Sequence, residues 1–288
     1  MLLREGYAVL DRFLGRDELT ALRPEVQARI AAPAGPSCER PHNTLVPLRW
    51  NDVIVGRVLS SQRRRRRVEQ AAAAGDLRWI SGYLSLKEAR SPALWWHQDW
   101  WCWDHRVSYR VAAPQIAMLC YLTDTDERNA ALRVLPGSHH ASTTLHAILP
   151  EAHAQDAGEL PLTHPAMSDH PDQVTLELRA GDAVVMDYRL LHGTHGNTTD
   201  ARRDCLLLTF APSWRDLPAD IRGHLIRHPA LPTAGERVAA AWARHVLPSH
   251  DGPVADLPLN RAAPEDFSVV RKRDAHVGGE ATAGRRGR

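Results

Sequence analysis

A chain of 288 residues with 43% apolar and 24% charged residues can bury a sizeable core, and its composition excludes collagen-like and wholly disordered classes. The formal net charge of +2 argues against a nucleic-acid partner, and the basicity is local: residues 271–288 hold six Arg or Lys and two acids, which reads as a solvated, disordered tail. Cys38, Cys102, Cys120 and Cys205 form no CxxC pair, no apolar run is long enough to span a bilayer, and the first residues do not resemble a signal peptide; a cytoplasmic protein is expected.

In chain order, Gly6–Leu10 reads as a short strand and Asp11–Gly15 as a turn. Arg16–Ala31 carries Leu19, Leu22, Val26 and Ile30 at steps of three and four, which predicts a helix. Residues 32–47 are rich in Pro, Gly, Ser and Asn and read as loop. Val53–Ala74 predicts one or two helices, and the run Arg63–Arg67 within it reads as a solvated face, since consecutive helical residues point in all directions. From Leu77 the period shortens. Leu77–Leu86, Leu94–Gln98, Gln115–Leu122, Leu132–Leu135, Val174–Leu178, Ala183–Asp187 and Cys205–Phe210 predict strands separated by turn residues, which suggests an all-β sandwich or barrel flanked by helices. Ala234–Val246 predicts a further helix, followed by a Pro-rich, weakly patterned end.

Among sixteen histidines, His97-Gln98-Asp99 stands out. In a strand, residues i and i+2 share a face, so an imidazole and a carboxylate converge. His192, after the strand-like run Ala183–Leu191, offers a second imidazole. Two His and one carboxylate on one face of an octahedral iron leave positions for a bidentate 2-oxoacid and for oxygen. A dicarboxylate co-substrate also requires a cation, and Arg202 and Arg203 open the next strand. Adjacent strand residues face opposite sides, so at most one of the two points inward. The aromatic residues Trp95, Trp96, Trp100, Trp101, Trp103 and Tyr109 crowd the same region; most read as barrel-wall packing. Alternation places Trp95 on the His97 face. Trp95 and Trp101, with Arg106 in the polar loop that follows, are candidate substrate contacts. His139 and His140 read as turn residues.

Four segments together resemble the phytanoyl-CoA dioxygenase (PhyH) family of Fe(II)/2-oxoglutarate oxygenases: GYAVLDRFLGRDEL from Gly6, WWHQDWW, NAALRVLPGSHH at 129–140, and AGDAVVMDYRLLHGTHGNTTDARR at 180–203. The resemblance runs from about Gly6 to Trp214 and implies a double-stranded β-helix, a cupin-like jelly-roll; a single domain over residues 1–270 is expected. It implies Fe(II), 2-oxoglutarate and O2, with His97, Asp99 and His192 as metal ligands and catalytic set. His195 is a rival ligand, but the H-G-x-x-x-N pattern through Asn197 selects His192. The family's 2-oxoglutarate Arg falls eleven residues past the distal His, at Arg203, and the nearby hydroxyl is Thr194. Lys87 and Gln115 are further candidates for the co-substrate pocket. Halogenating relatives lack the metal carboxylate, so the presence of Asp99 points to hydroxylation of a small organic molecule; desaturation, cyclisation and epimerisation share the same ligands. Two other classes stay open. One is a jelly-roll isomerase or hydrolase holding zinc or manganese on the triad. The other is a ligand-binding relative without turnover. Substrate identity and oligomeric state are not legible.

Overall fold

A computed structural model of the chain describes residues 1–33, 38–40, 43–151, 160–265 and 267. The basic tail lies outside the described residues. Six α-helices and eleven β-strands are used below. They are α1 (Leu2–Glu5), β1 (Tyr7–Leu10), α2 (Arg16–Ala31), β2 (Cys38–Arg40), β3 (Asn43–Leu48), α3 (Val53–Leu59), α4 (Gln62–Ala72), β4 (Arg78–Lys87), β5 (Leu94–His97), β6 (Ile116–Tyr121), β7 (Leu132–Val134), β8 (Val174–Leu176), β9 (Ala183–Asp187), β10 (His192–Thr194), β11 (Arg203–Ala211), α5 (Ala219–Leu225) and α6 (Ala241–Val246).

The strands form two antiparallel sheets, β1-β9-β6-β11-β4-β3-β2 and β5-β10-β7-β8. This is the expected jelly-roll. The alternation of β11 shows how the large sheet is used. Leu206, Leu208 and Phe210 join Leu84, Leu86 and Met118 on the face covered by α2, α3, α4 and α6. Cys205 and Tyr121 face the other way and pack with Leu132, Val134 and Leu176 of the small sheet. That second layer is the interior of the roll, and the functional residues open into it. The core is thus divided by the large sheet into a helix-facing side and a barrel side.

Local chemistry explains the helical cover. Asp52 Oδ1 accepts from the Ile54 backbone N–H at 3.0 Å and starts α3, and Ser61 caps α4 through the Arg64 N–H. Gly181 has φ +96°, and a Cβ there would sit 2.3 Å from Leu14 O, so the turn into β9 requires glycine.

Three sequence expectations are corrected. Residues 32–47 are not all loop: β2 and β3 form a hairpin that extends the large sheet at β4, pairing Val46 with Leu84 and Leu48 with Gly82. Pro47 sits in β3, near the sheet margin, where a missing N–H is tolerated. The helix expected over 234–246 covers only Ala241–Val246, and α5 precedes it. The arginine run is not simply solvated. Arg64 donates to Val58 O at 2.9 Å and ion-pairs with Glu18, Arg65 donates to Leu59 O and to Ser60 O, and Arg67 donates to Asp11 O at 2.8 Å. Arg64 and Arg65 therefore satisfy the orphan carbonyls at the end of α3. Cys102, Cys120 and Cys205 are buried free thiols. Among the described residues, no helix is long and apolar enough to cross a membrane.

Candidate active site

β5 and β10 are antiparallel neighbours, and their register places His192 opposite His97. Opposed side chains on one face of such a pair come within about 5 Å at Cβ. The two imidazole centroids are 4.2 Å apart. Asp99 lies two residues past His97, beyond the end of β5, where its N–H and that of Trp100 both donate to Tyr188 O at 2.9 Å. Its carboxylate is 3.8 Å from His97 Nε2 and 3.5 Å from His192 Nε2. All three donor atoms lie within 4.8 Å of one another.

Each imidazole is oriented by its own strand. His97 Nδ1 is 2.9 Å from Trp95 O, and His192 Nδ1 is 3.0 Å from Leu190 O. A carbonyl can only accept, so Nδ1 carries the proton and Nε2 offers its lone pair to the cluster. Gly193 lets the two strands approach: a Cβ there would lie 2.8 Å from Leu94 O and 3.0 Å from Trp95 O.

Arg203 and Arg202 divide as alternation requires. Arg202 turns outward onto Asp204, with Nε to Oδ1 at 2.6 Å. Arg203 is 3% exposed, faces the interior, and lies over the Tyr121 ring at 5.4 Å. Its Nε is buried with no hydrogen-bond partner among the described residues, and so is Thr194 Oγ1. Lys87 is the cross-strand partner of Arg203 and is fully buried. Burial first, then the charges of Arg203 and Arg133, lower its pKa to about 7. The side chain of Asn197 ties the loop before β11 to the end of β4, donating to Glu88 O at 3.0 Å and Ala201 O at 2.8 Å. That contact explains the asparagine of the sequence pattern: it holds the Lys87 and Arg203 strands in one frame.

Gln115 accepts from Trp101 Nε1 at 3.0 Å, and both border a cavity of about 530 Å³ that reaches Asp99. Trp101 stacks on His224 with centroids 4.3 Å apart and planes 20° apart. Trp95 and Arg106 do not join them. Trp95 packs with Leu94, Ala166 and Met167, and its ring lies 6.0 Å from that of His97, on the face expected of it, but it borders none of the described cavities. Arg106 is exposed at the start of a short 3-10 turn and borders none of the described cavities. His195 is engaged elsewhere, 2.8 Å from Thr175 Oγ1. His139 and His140 bond to the carbonyls of Leu3 and Val111, as turn residues do.

Sequence reasoning missed two groups. Asp187 and Arg189 form a fully buried, two-pronged ion pair at 2.6 and 2.9 Å, and Arg189 also donates to Ser108 O and Arg110 O, pinning the turn after the metal loop. The spacing Asp-x-Arg was visible but carries no signal alone. The outer cavity wall comes from Tyr83, His224, His228 and Arg261; His224 and His228, four apart at the end of α5, were the only hint.

The Dioxygenase FUM3 of Gibberella moniliformis is 33% identical over 100 residues, 35% of this chain and 26% of the relative. The L-proline trans-4-hydroxylase of Streptomyces griseoviridis is 27% identical over 140 residues, 44% of this chain and 52% of the relative. The chain thus spans about a quarter and about half of these two proteins. An ectoine dioxygenase of Nocardia farcinica is 25% identical over 223 residues, 72% of this chain and 74% of the relative. Among solved structures, HygX from Streptomyces hygroscopicus, with nickel, 2-oxoglutarate and hygromycin B bound, aligns with a TM-score of 0.54 at 19% identity over 90% of this chain and 95% of its own. The epimerase SnoN from nogalamycin biosynthesis aligns at 0.55 and 20% identity, over 90% and 94%. Both share the jelly-roll. The phytanoyl-CoA dioxygenase family model matches residues 2–205, and the chain belongs to that family, whose members use Fe(II), 2-oxoglutarate and O2.

Proposed function

We propose that the protein is an Fe(II)- and 2-oxoglutarate-dependent hydroxylase of a small organic molecule, with iron held by His97, Asp99 and His192. The observation that carries this reading is a matched set inside one barrel. A two-His, one-carboxylate cluster shares the interior with two buried polar atoms that lack partners among the described residues, Arg203 Nε and Thr194 Oγ1. An orphaned buried donor costs about 1–3 kcal/mol, so such a pair implies a ligand that satisfies it. A zinc isomerase or hydrolase on the same triad has no use for a buried cation at that depth.

Iron with a bound 2-oxoacid supplies an oxidant made from dioxygen. The residues supply the rest. His97 and His192 present Nε2, fixed by their Nδ1–carbonyl bonds. Asp99 would add one negative charge to the donor set. Arg203 would donate to the far carboxylate of 2-oxoglutarate, Thr194 would add a second donor, and Lys87 would add positive charge at that end. Trp101 and Gln115 form the wall against which the substrate is placed above Asp99. The buried setting excludes water and strengthens each charged contact.

Anaerobic titration of the apoprotein with Fe(II) and 2-oxoglutarate tests this. A visible metal-to-ligand charge-transfer band is expected, absent in His97→Ala and weakened in Arg203→Ala. Iron binding without a band rejects the 2-oxoacid site. Once a substrate is known, a product heavier by one oxygen atom identifies hydroxylation, and an isomeric product replaces it with epimerisation.

A further inference from the structure

Apart from Tyr83, the outer wall of the larger cavity is built by the part of the chain beyond the family match. α5 and the turn after it contribute His224, Arg227 and His228; the C-terminal stretch contributes Asp256, Leu259 and Arg261. That stretch is strapped across the metal loop. The Asn260 N–H donates to Trp101 O at 2.9 Å, Trp103 N–H donates to Asn260 O at 3.1 Å, and the Asn260 side chain donates to Asp104 Oδ1 at 2.8 Å. Further along, the Phe267 N–H donates to Ser142 Oγ, and its ring meets Trp103 edge-on. The residue between the strap's anchor and the cavity is Arg261. It borders both the cavity that reaches Asp99 and a smaller one of about 210 Å³ that reaches His97.

Two aspartates and two arginines line this cavity, Asp99, Asp256, Arg227 and Arg261, and one positive charge is left over once Asp99 is assigned to the metal. Arg227 ion-pairs with Asp256 and also donates to Ala255 O at 3.2 Å. Asp99 belongs to the metal. Burial holds His224 below its ordinary pKa and His228 at about 4, so both are neutral at pH 7. Arg261 has no ion pair or side-chain hydrogen bond among the described residues; only its backbone N–H is engaged, with Glu151. Its guanidinium thus has no ion-pair partner among the described residues, although the Glu151 carboxylate accepts from its backbone N–H and Glu265 borders the smaller cavity with it; it shares the larger cavity with Asp99, Trp101 and His224.

We propose that Arg261 anchors a carboxylate of the primary substrate, so that the enzyme acts on a small organic acid whose flat or apolar part lies against Trp101. This rests on the oxygenase reading of the same site. A planar guanidinium matches a carboxylate with two parallel hydrogen bonds. One surplus cation also matches one carboxylate in charge, whereas a phosphate dianion would leave a negative charge unpaired near Asp99.

The test uses wild-type protein loaded with Fe(II) and saturating 2-oxoglutarate without oxygen. Calorimetry compares probe pairs that differ in charge: indole-3-acetate with indole-3-acetamide, and benzoate with benzamide. The acids are expected to bind at least about tenfold more tightly, the factor one charged contact gives. Arg261→Gln should bring acid and amide together, and Arg261→Lys should keep part of the preference. The charge-transfer band should persist in both variants, because Arg261 does not hold the co-substrate. Equal binding of acid and amide by the wild type overturns the proposal, as does failure of every probe to bind. A preference that survives in Arg261→Gln overturns it too. The oxygenase reading fails separately, by absence of the band in the wild type whatever the probes do.

Discussion

Replacing Arg203 by methionine removes a guanidinium while keeping most of its buried volume. In the protein alone this change should cost little. The guanidinium lies opposite Lys87, a like charge, and its Nε has no partner among the described residues, where it meets the Tyr121 face at 5.4 Å. The melting temperature should hold or rise slightly, because relief of repulsion offsets a cation–π contact of about 1 kcal/mol. Co-substrate binding should respond very differently. A desolvated, hydrogen-bonded charge pair that loses one member costs about 2–4 kcal/mol. At 1.4 kcal/mol per decade, that is a rise in the 2-oxoglutarate Kd of roughly 30- to 700-fold. The assay is anaerobic titration of the Fe(II) protein, read by the charge-transfer band, with Fe(II) affinity measured separately and expected to be unchanged. A Kd shift below about threefold would place the co-substrate carboxylate elsewhere and refute the reasoning.

Four further outcomes follow from the same geometry. Asp99→Ala should abolish Fe(II) binding measured by equilibrium dialysis, since it removes the only carboxylate of the cluster. Gly193→Ala forces a Cβ to 2.8 Å from Leu94 O, so β5 and β10 must part; a loss of about 1–3 kcal/mol in denaturant unfolding should accompany weaker Fe(II) binding. Asp187→Asn leaves the buried Arg189 uncompensated and should destabilise the fold by about 3–5 kcal/mol by the same measurement. Burial lowers the pKa of Lys87 to about 7 in the folded protein, against 10.5 for a free lysine, so the unfolded chain binds the extra proton between those limits. Its contribution to stability should therefore rise as pH increases from about 7 toward 10.5. Arrival of an anionic co-substrate should restore the charge of Lys87, with uptake of about one proton at pH 8, read as a dependence of the binding heat on buffer ionisation enthalpy.

Much of the site was legible in the chain because it is made of local spacings. An i, i+2 pair at a strand end puts His97 and Asp99 side by side, and alternation alone allows only one of Arg202 and Arg203 inside. The long strands were legible because apolar periodicity survives in β4, β6, β9 and β11. β10 was not: three residues with a glycine at the centre carry no period, and pairing on both sides by β5 and β7 makes it a strand. β3 was hidden by its proline and by the loop-like residues before it, and sheet pairing with β4 overrode both. The arginine run looked like a solvated face because helical spacing cannot show that the carbonyls of α3 end beside it. The sequence by itself placed His97 and Asp99 on one face and allowed only one inward arginine, since both follow from residues one or two apart; the family resemblance supplied His192, the choice of Arg203 and the class of roll. Only the tertiary structure decided the cavity wall, because Arg261 comes to line the same cavity as Asp99, 162 residues earlier, through a strap held at Trp101 and Trp103, and contacts so distant in the chain leave no local pattern.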